Sequence, residues 1–142
     1  MITRKAAAEW QGNLMEGHGT VSTDSRILDK TPYSFKARFE DGKGTNPEEL
    51  IGAAHAGCFT MAFVAQLSRK GYQPSQINTT ALVGLEKTEK GFAIPSIELR
   101  MTAIIPHIDE DSFLQLAQEA KDNCPISKLF NAKIILDAKL EN

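Results

Sequence analysis

The first forty residues read as strands, and within them the apolar and polar positions come closest to alternating near their end. "AAAEWQ" and "GTVSTDS" lie on either side of a Gly-containing polar stretch, Gly12 to Gly17, and are expected to be strands. "PYSFKARF" alternates more sharply. Tyr33, Phe35, Ala37 and Phe39 fall on one side and Ser34, Lys36 and Arg38 on the other, the period of two expected of a third strand. "DGKGTN" follows as a turn-rich loop. The pattern then changes. Asn46 is a good helix N-cap, Pro47 suits the first helical position, and Glu48 and Glu49 complement the dipole. Glu49 sits three residues after Asn46, as in a capping box. Arg69 and Lys70 fall in the last turn and Gly71 makes a stop. From Pro47 to Lys70 the predicted helix is about 36 Å long. Its middle, "AAHAGCFTMAF", has no charge and is apolar on every side, so the helix is expected to be buried all round. Gly52, Ala53, Ala54, Ala56 and Gly57 have little side-chain bulk, which lets another backbone approach closely.

A hairpin is expected next. "INTTALVGLEK" and "FAIPSIELRMTAII" are joined by "TEKG", and Ile97, Leu99, Met101, Ala103 and Ile105 alternate with polar partners. A second helix starts near Asp109 or Asp111, carries Phe113, Leu114, Leu116, Ala117 and Ala120 at helical spacing, and ends near Asn123. Pro125 restarts a short helix, "PISKLFN", and "AKIILDAKL" reads as a closing strand. The order βββ-α-ββ-α-α-β predicts a single α+β domain, residues 1–142, with antiparallel pairing. A chain of this size cannot easily surround so long an apolar helix. A homodimer with two such helices packed under shared sheets is therefore expected.

Composition narrows the partners. Hydrophobic residues make up 42% and charged residues 24%, ordinary for a soluble globular protein, and the net charge of −2 gives no sign of nucleic-acid binding. The N-terminus has no apolar run behind its basic residues, so it does not read as a secretory signal. The uncharged part of the long helix includes His55 and falls short of the roughly 20 apolar residues of a membrane span. A cytoplasmic protein without a membrane partner is expected.

The chemistry-bearing residues are few. The two cysteines, Cys58 and Cys124, lie 66 positions apart. They form no C-x-x-C pair and no zinc-type spacing with the three histidines, so no metal site is expected. Cys58 falls mid-helix, where the helix dipole gives it no help. It is either a small core residue or a reactive thiol that needs a cation from elsewhere in the fold. Cys124 precedes Pro125 and takes an N-cap-like position, near free backbone N–H groups. His55 lies three residues before Cys58 on the same helical face. It is either a buried histidine with a backbone or water partner or half of a Cys–His dyad for acyl transfer or hydrolysis. Arg38 projects from the polar side of its predicted strand and reads by itself as a solvated arginine, and Glu48 as a first-turn carboxylate. Glu48 is ten residues before Cys58, about 15 Å along the axis and about 80° around it, so it cannot serve that thiol along one straight helix. A non-catalytic binding protein with inert cysteines is a further alternative.

"GTNPEELIGAAHAGCFTMAF" and "NCPIS", with "PYSFKARFE" upstream, resemble the osmotically inducible protein C (OsmC) branch of the OsmC/Ohr family. The similarity runs from "AEWQG" and "GTVST" to "KIILD". The resemblance implies an intertwined α+β homodimer with two long helices inside. It implies a thiol peroxidase that prefers organic hydroperoxides to hydrogen peroxide and needs no cofactor beyond an external thiol or dithiol reductant. It assigns peroxide attack to Cys58, resolution as a disulfide to Cys124, and the supporting roles to Arg38 and Glu48. With that chemistry in view, an apolar pocket for the substrate's tail is expected to draw on residues such as Phe39, Met61, Phe63 and Ile126.

Overall fold

The computed structural model describes residues 1–129 together with 135 and 139. The expected closing strand, "AKIILDAKL", lies almost entirely outside the described residues. The chain divides into two compact units. One comprises Met1–Ala53 and Val83–Ile97, the other Ala54–Leu82 and Glu98–Asn142.

The first unit opens with an antiparallel sheet of β1 (Ala6–Gln11), β2 (His18–Thr23) and β3 (Thr31–Tyr33), in that order. Register places Gly19 between Trp10 on β1 and Tyr33 on β3, and those two rings meet edge to face at 5.5 Å. A Cβ on Gly19 would lie 2.6 Å from either ring, so only glycine fits beneath the pair. The third predicted strand is corrected here. It stops at Tyr33, and residues Phe35–Phe39 form a short helix, α1. The Ser34 hydroxyl accepts from Ala37 N–H as an N-cap, and Phe35 and Phe39 stack one turn apart at 4.8 Å. Alternation over five residues could not discriminate against that helix, and the cap decides it. Arg38 therefore projects from a helical turn instead of a strand.

The long helix α2 runs from Pro47 to Arg69, within a residue of expectation. The expected hairpin is split into two ladders. β5 (Glu86–Thr88) and β6 (Gly91–Ala93) pair at its tip in the first unit, where Phe92 stacks on Phe39 at 4.9 Å. β4 (Gln76–Val83) pairs with β7 (Ile97–Ile104), chiefly in the second unit. Pro95 lacks a donor, and a bond from Gly84 N–H to Ser96 O spans the break. The second unit also holds α3 (Glu110–Asn123), capped by Asp109 on Ser112 N–H, and α4 (Pro125–Lys128).

The core of the second unit is Phe59, Phe63 and Leu67 of α2 against Leu116 and Ala120 of α3, with Cys124 at the end of that row. Each large side chain so buried stabilises by about 1.5–3 kcal/mol. Along α2, Glu48, Gly52, His55, Phe59, Phe63 and Leu67 are buried, a single stripe at spacings of three and four. Ile51, Gly57, Met61 and Val64 are exposed, Met61 to 76%. Within one chain the described residues thus cover the helix on one side, and the expected burial all round would need the second copy.

Replacing Gly19 by alanine forces both rings to move. A loss of about 1–3 kcal/mol is expected, read as a lower thermal midpoint. An unchanged midpoint would show that the Trp10–Tyr33 pair does not rest on residue 19.

Candidate active site

Cys58 sits mid-way along α2 and Cys124 at the junction of α3 and α4. Pro125 breaks the helix there, and Cys124 N–H closes α3 on Ala120 O. Packing brings the two sulfurs to 2.9 Å, a hydrogen-bond contact between free thiols. Cys124 is fully buried and Cys58 half-buried. A contraction of under about 1 Å would turn that contact into a disulfide bond at ~2.05 Å.

Burial pushes the Cys58 thiol up, and its contact with Cys124 adds to the rise. The backbone N–H of Ile126 opposes both. Burial pushes Cys124 up as well. The hydrogen bond with Cys58, the N–H groups of Ser127 and Ile126 and the Ser127 hydroxyl together outweigh it and bring Cys124 below its ordinary value. Within one chain the more acidic thiol is therefore Cys124, whereas the expectation had Cys58 as the thiolate. No cation accounts for either shift.

Arg38 and Glu48 pair with each other in the first unit. Arg38 Nε and Nη2 both donate to Glu48 Oε1, at 3.0 and 2.7 Å. Glu48 is 8% exposed, while the Arg38 side chain is 37% exposed. The guanidinium also lies over the Phe39 ring, 5.2 Å from its centroid. Asn46 holds the two helices in place. Its amide donates to Ala37 O of α1, and its oxygen accepts Glu49 N–H at the head of α2. Two of the five guanidinium donors go to Glu48, so others remain to address a substrate.

The chain is similar to an OsmC-like protein family model over residues 40–139. It is 48% identical to the peroxiredoxin OsmC of Escherichia coli (strain K12), over 99% of both chains. It is 34% identical to an organic hydroperoxide resistance protein-like protein of Staphylococcus aureus (strain MSSA476), over 84% of both. The crystal structure of the organic hydroperoxide resistance protein OhrB of Bacillus subtilis superposes with a TM-score of 0.65 at 27% identity, covering 89% of each chain. The chain belongs to the OsmC-like family. A Vibrio cholerae OsmC-like protein shares the fold at a TM-score of 0.70 and 19% identity, over 90% of this chain and 93% of that one.

The remaining expected residues of this OsmC-like chain are placed as follows. His55 does not pair with Cys58. Its Nε2 lies 3.0 Å from Ser127 Oγ on α4, and the Cys58 sulfur is engaged by Cys124, so the Cys–His dyad is not formed. Phe63, expected in a substrate pocket, is fully buried in the core against Phe113, its ring centroid 5.7 Å away, because it continues the buried stripe one turn after Phe59. Ile126 packs on the rim of the same core, Phe39 stacks with Phe35 and Phe92, and Met61 faces outward. Ser127 was not anticipated, although it stands in the same "NCPIS" stretch as Cys124. Among the described residues no cluster of three or more His, Cys, Asp or Glu is arranged for a metal ion.

Burial holds the His55 imidazole below its ordinary value. The unfolded chain then takes up a proton at His55 near pH ~6.5 while the folded chain does not, so stability is lost as pH falls from there toward the folded value. In His55→Gln that contribution is absent. The drop in unfolding free energy between about pH 7.5 and about pH 5.5 should be smaller in the variant, by up to ~1.4 kcal/mol per pH unit of depression. Equal drops in urea titrations of the two proteins would show that His55 takes up its proton at the same pH folded and unfolded.

Proposed function

We propose that this chain is a thiol peroxidase that reduces organic hydroperoxides through a Cys58 sulfenic acid and a Cys58–Cys124 disulfide. The observation that carries the reading is the pair of free sulfurs 2.9 Å apart. The relatives' names, a peroxiredoxin and organic hydroperoxide resistance proteins, point the same way. The Cys58 thiolate attacks the outer peroxide oxygen, the O–O bond breaks, and the alkoxide takes a proton to leave as alcohol. The sulfenic acid condenses with Cys124 to a disulfide and releases water. An external thiol restores the dithiol by exchange.

A half-buried Cys58 whose thiol is pushed up needs a cation to ionise. Arg38 supplies one, with Glu48 fixing the guanidinium, and Arg38 also donates to the leaving alkoxide. Glu48 precedes Cys58 by ten residues on one helix, about 15 Å of rise, so we assign Arg38 and Glu48 to the Cys58 of a second subunit. The uncovered apolar face of α2, with Gly57 open to close approach and Ile51, Met61 and Val64 around it, supports a second copy as its cover. The apolar seam between that face and the second copy would bind the tail of an organic hydroperoxide beside Cys58. We place the enzyme in the cytoplasm, where a dithiol is kept reduced.

Intact mass after one equivalent of cumene hydroperoxide tests the reaction. The protein should lose two hydrogens, and Cys124→Ser should gain one oxygen on Cys58. No change in either would exclude the mechanism. Cumene and t-butyl hydroperoxides should also show higher kcat/KM than hydrogen peroxide. Arg38→Met should lower kcat/KM about a hundredfold and raise the Cys58 pKa, followed by thiolate absorbance in the Cys124→Ser background. A Cys58 still protonated well above neutral pH with Arg38 intact would overturn its role as nucleophile.

A further inference from the structure

Cys124 is served by more than its backbone. Three residues on, Ser127 sets its hydroxyl 3.0 Å from His55 Nε2, joining positions 72 residues apart. His55 is 5% exposed, and its second ring nitrogen, Nδ1, has no hydrogen-bond partner among the described residues. A buried polar atom left unsatisfied costs about 1–3 kcal/mol, so the imidazole is a poor choice for packing alone. An apolar side chain would fill the stripe without that cost.

The neutral ring has two tautomers, and they direct Ser127 differently. With the proton on Nδ1, a buried N–H is orphaned and Nε2 accepts the Ser127 hydroxyl hydrogen, which then points away from Cys124. With the proton on Nε2, only a lone pair is orphaned. Nε2–H donates to Ser127 Oγ, and the hydroxyl hydrogen is left for sulfur. Ser127 stands in the first turn of α4, which Cys124 caps, and its hydroxyl and N–H both favour the Cys124 anion. The second tautomer satisfies all of these contacts, and we assign it from the network.

We propose that His55 and Ser127 are positioning residues for the resolving step, His55 Nε2–H holding the Ser127 hydroxyl so that its hydrogen is aimed at the Cys124 sulfur. The inference rests on the peroxidase reading above and concerns only its second half. In that step the Cys124 thiolate attacks the sulfenic sulfur of Cys58. The S–S bond forms, the S–O bond breaks, and the departing hydroxide takes up the proton that Cys124 gave up, leaving as water. Both sulfurs end at the disulfide level and no further oxidant is needed. The aimed hydroxyl stabilises Cys124 as the anion before it attacks.

Single-turnover oxidation with one equivalent of cumene hydroperoxide, quenched at intervals and read by intact mass, separates the two steps. An added oxygen reports sulfenic acid, and loss of water from that species reports resolution. In Ser127→Ala the resolution rate should fall about tenfold relative to the oxidation rate of the same variant, and the oxygen adduct should accumulate. His55→Phe, which keeps the ring and loses the donor, should do the same. The double variant should be no slower than either single one, because both break one chain of bonds. His55→Gln, which replaces the Nε2–H donor with an amide N–H, should restore the ratio. A wild-type ratio in Ser127→Ala would overturn the proposal, as would a slow His55→Phe that His55→Gln fails to rescue. Ser127→Ala keeps the test available if His55→Phe folds poorly. If the wild-type protein forms no disulfide, the peroxidase reading itself fails and the proposal falls with it.

Discussion

The contact between two sulfurs depends on one helix packing against another. Phe59, Phe63 and Leu67 on α2 press against Leu116 and Ala120 on α3, and Cys124 continues the α3 row by one more step of four. Ala120 and Cys124 are both small and wholly enclosed, and the thiols meet at that end of the row. Proline then ends the helix immediately after Cys124, which turns the sulfur toward α2 and presents the N–H groups of Ile126 and Ser127 to the pair. The apolar core thus sets the redox geometry. Without it, 66 residues of chain separate the two thiols and their encounter would be rare.

The polar chemistry is distributed in matched pairs. Glu48 is nearly enclosed and bonds to an arginine that keeps part of its surface in solvent. That arrangement fixes the guanidinium plane through one carboxylate oxygen while leaving donors to act elsewhere. In the other unit the proton shared by the two sulfurs is biased toward Cys58 by groups that favour the Cys124 anion. On the proposed reading the sulfur pair holds a resolving thiol in readiness, and the attacking thiol needs a cation to ionise. The uncovered face of α2 is where a second copy would supply it.

Much of the architecture was legible in local sequence because it is set locally. The Asn46–Pro47 start and the Arg69–Gly71 end of α2, the Asp109 cap of α3 and the restart at Pro125 all depend on residues within one turn of each boundary. The segment after Tyr33 was misread because five residues cannot distinguish a period of two from one turn of helix, and one hydroxyl at Ser34 settles the matter. In the site, the residue types were recognisable through the family resemblance, but their pairing was not. The contact of His55 with Ser127 spans 72 positions, and nothing local to either residue encodes it. Phe63 looked like a pocket wall for the same reason: its neighbour Phe113 comes from another helix.

The unequal enclosure of the two sulfurs gives the return half of the cycle a direction. Cys124 has no solvent-facing surface, whereas Cys58 retains some. A disulfide between them therefore offers an incoming reductant one accessible atom, the Cys58 sulfur, and makes Cys124 the departing group. Departure is fastest for the sulfur that best bears negative charge, and the surroundings of Cys124 favour its anion. Regeneration would then run through a mixed disulfide on α2, with the buried thiolate released into the hydrogen bonds already waiting for it.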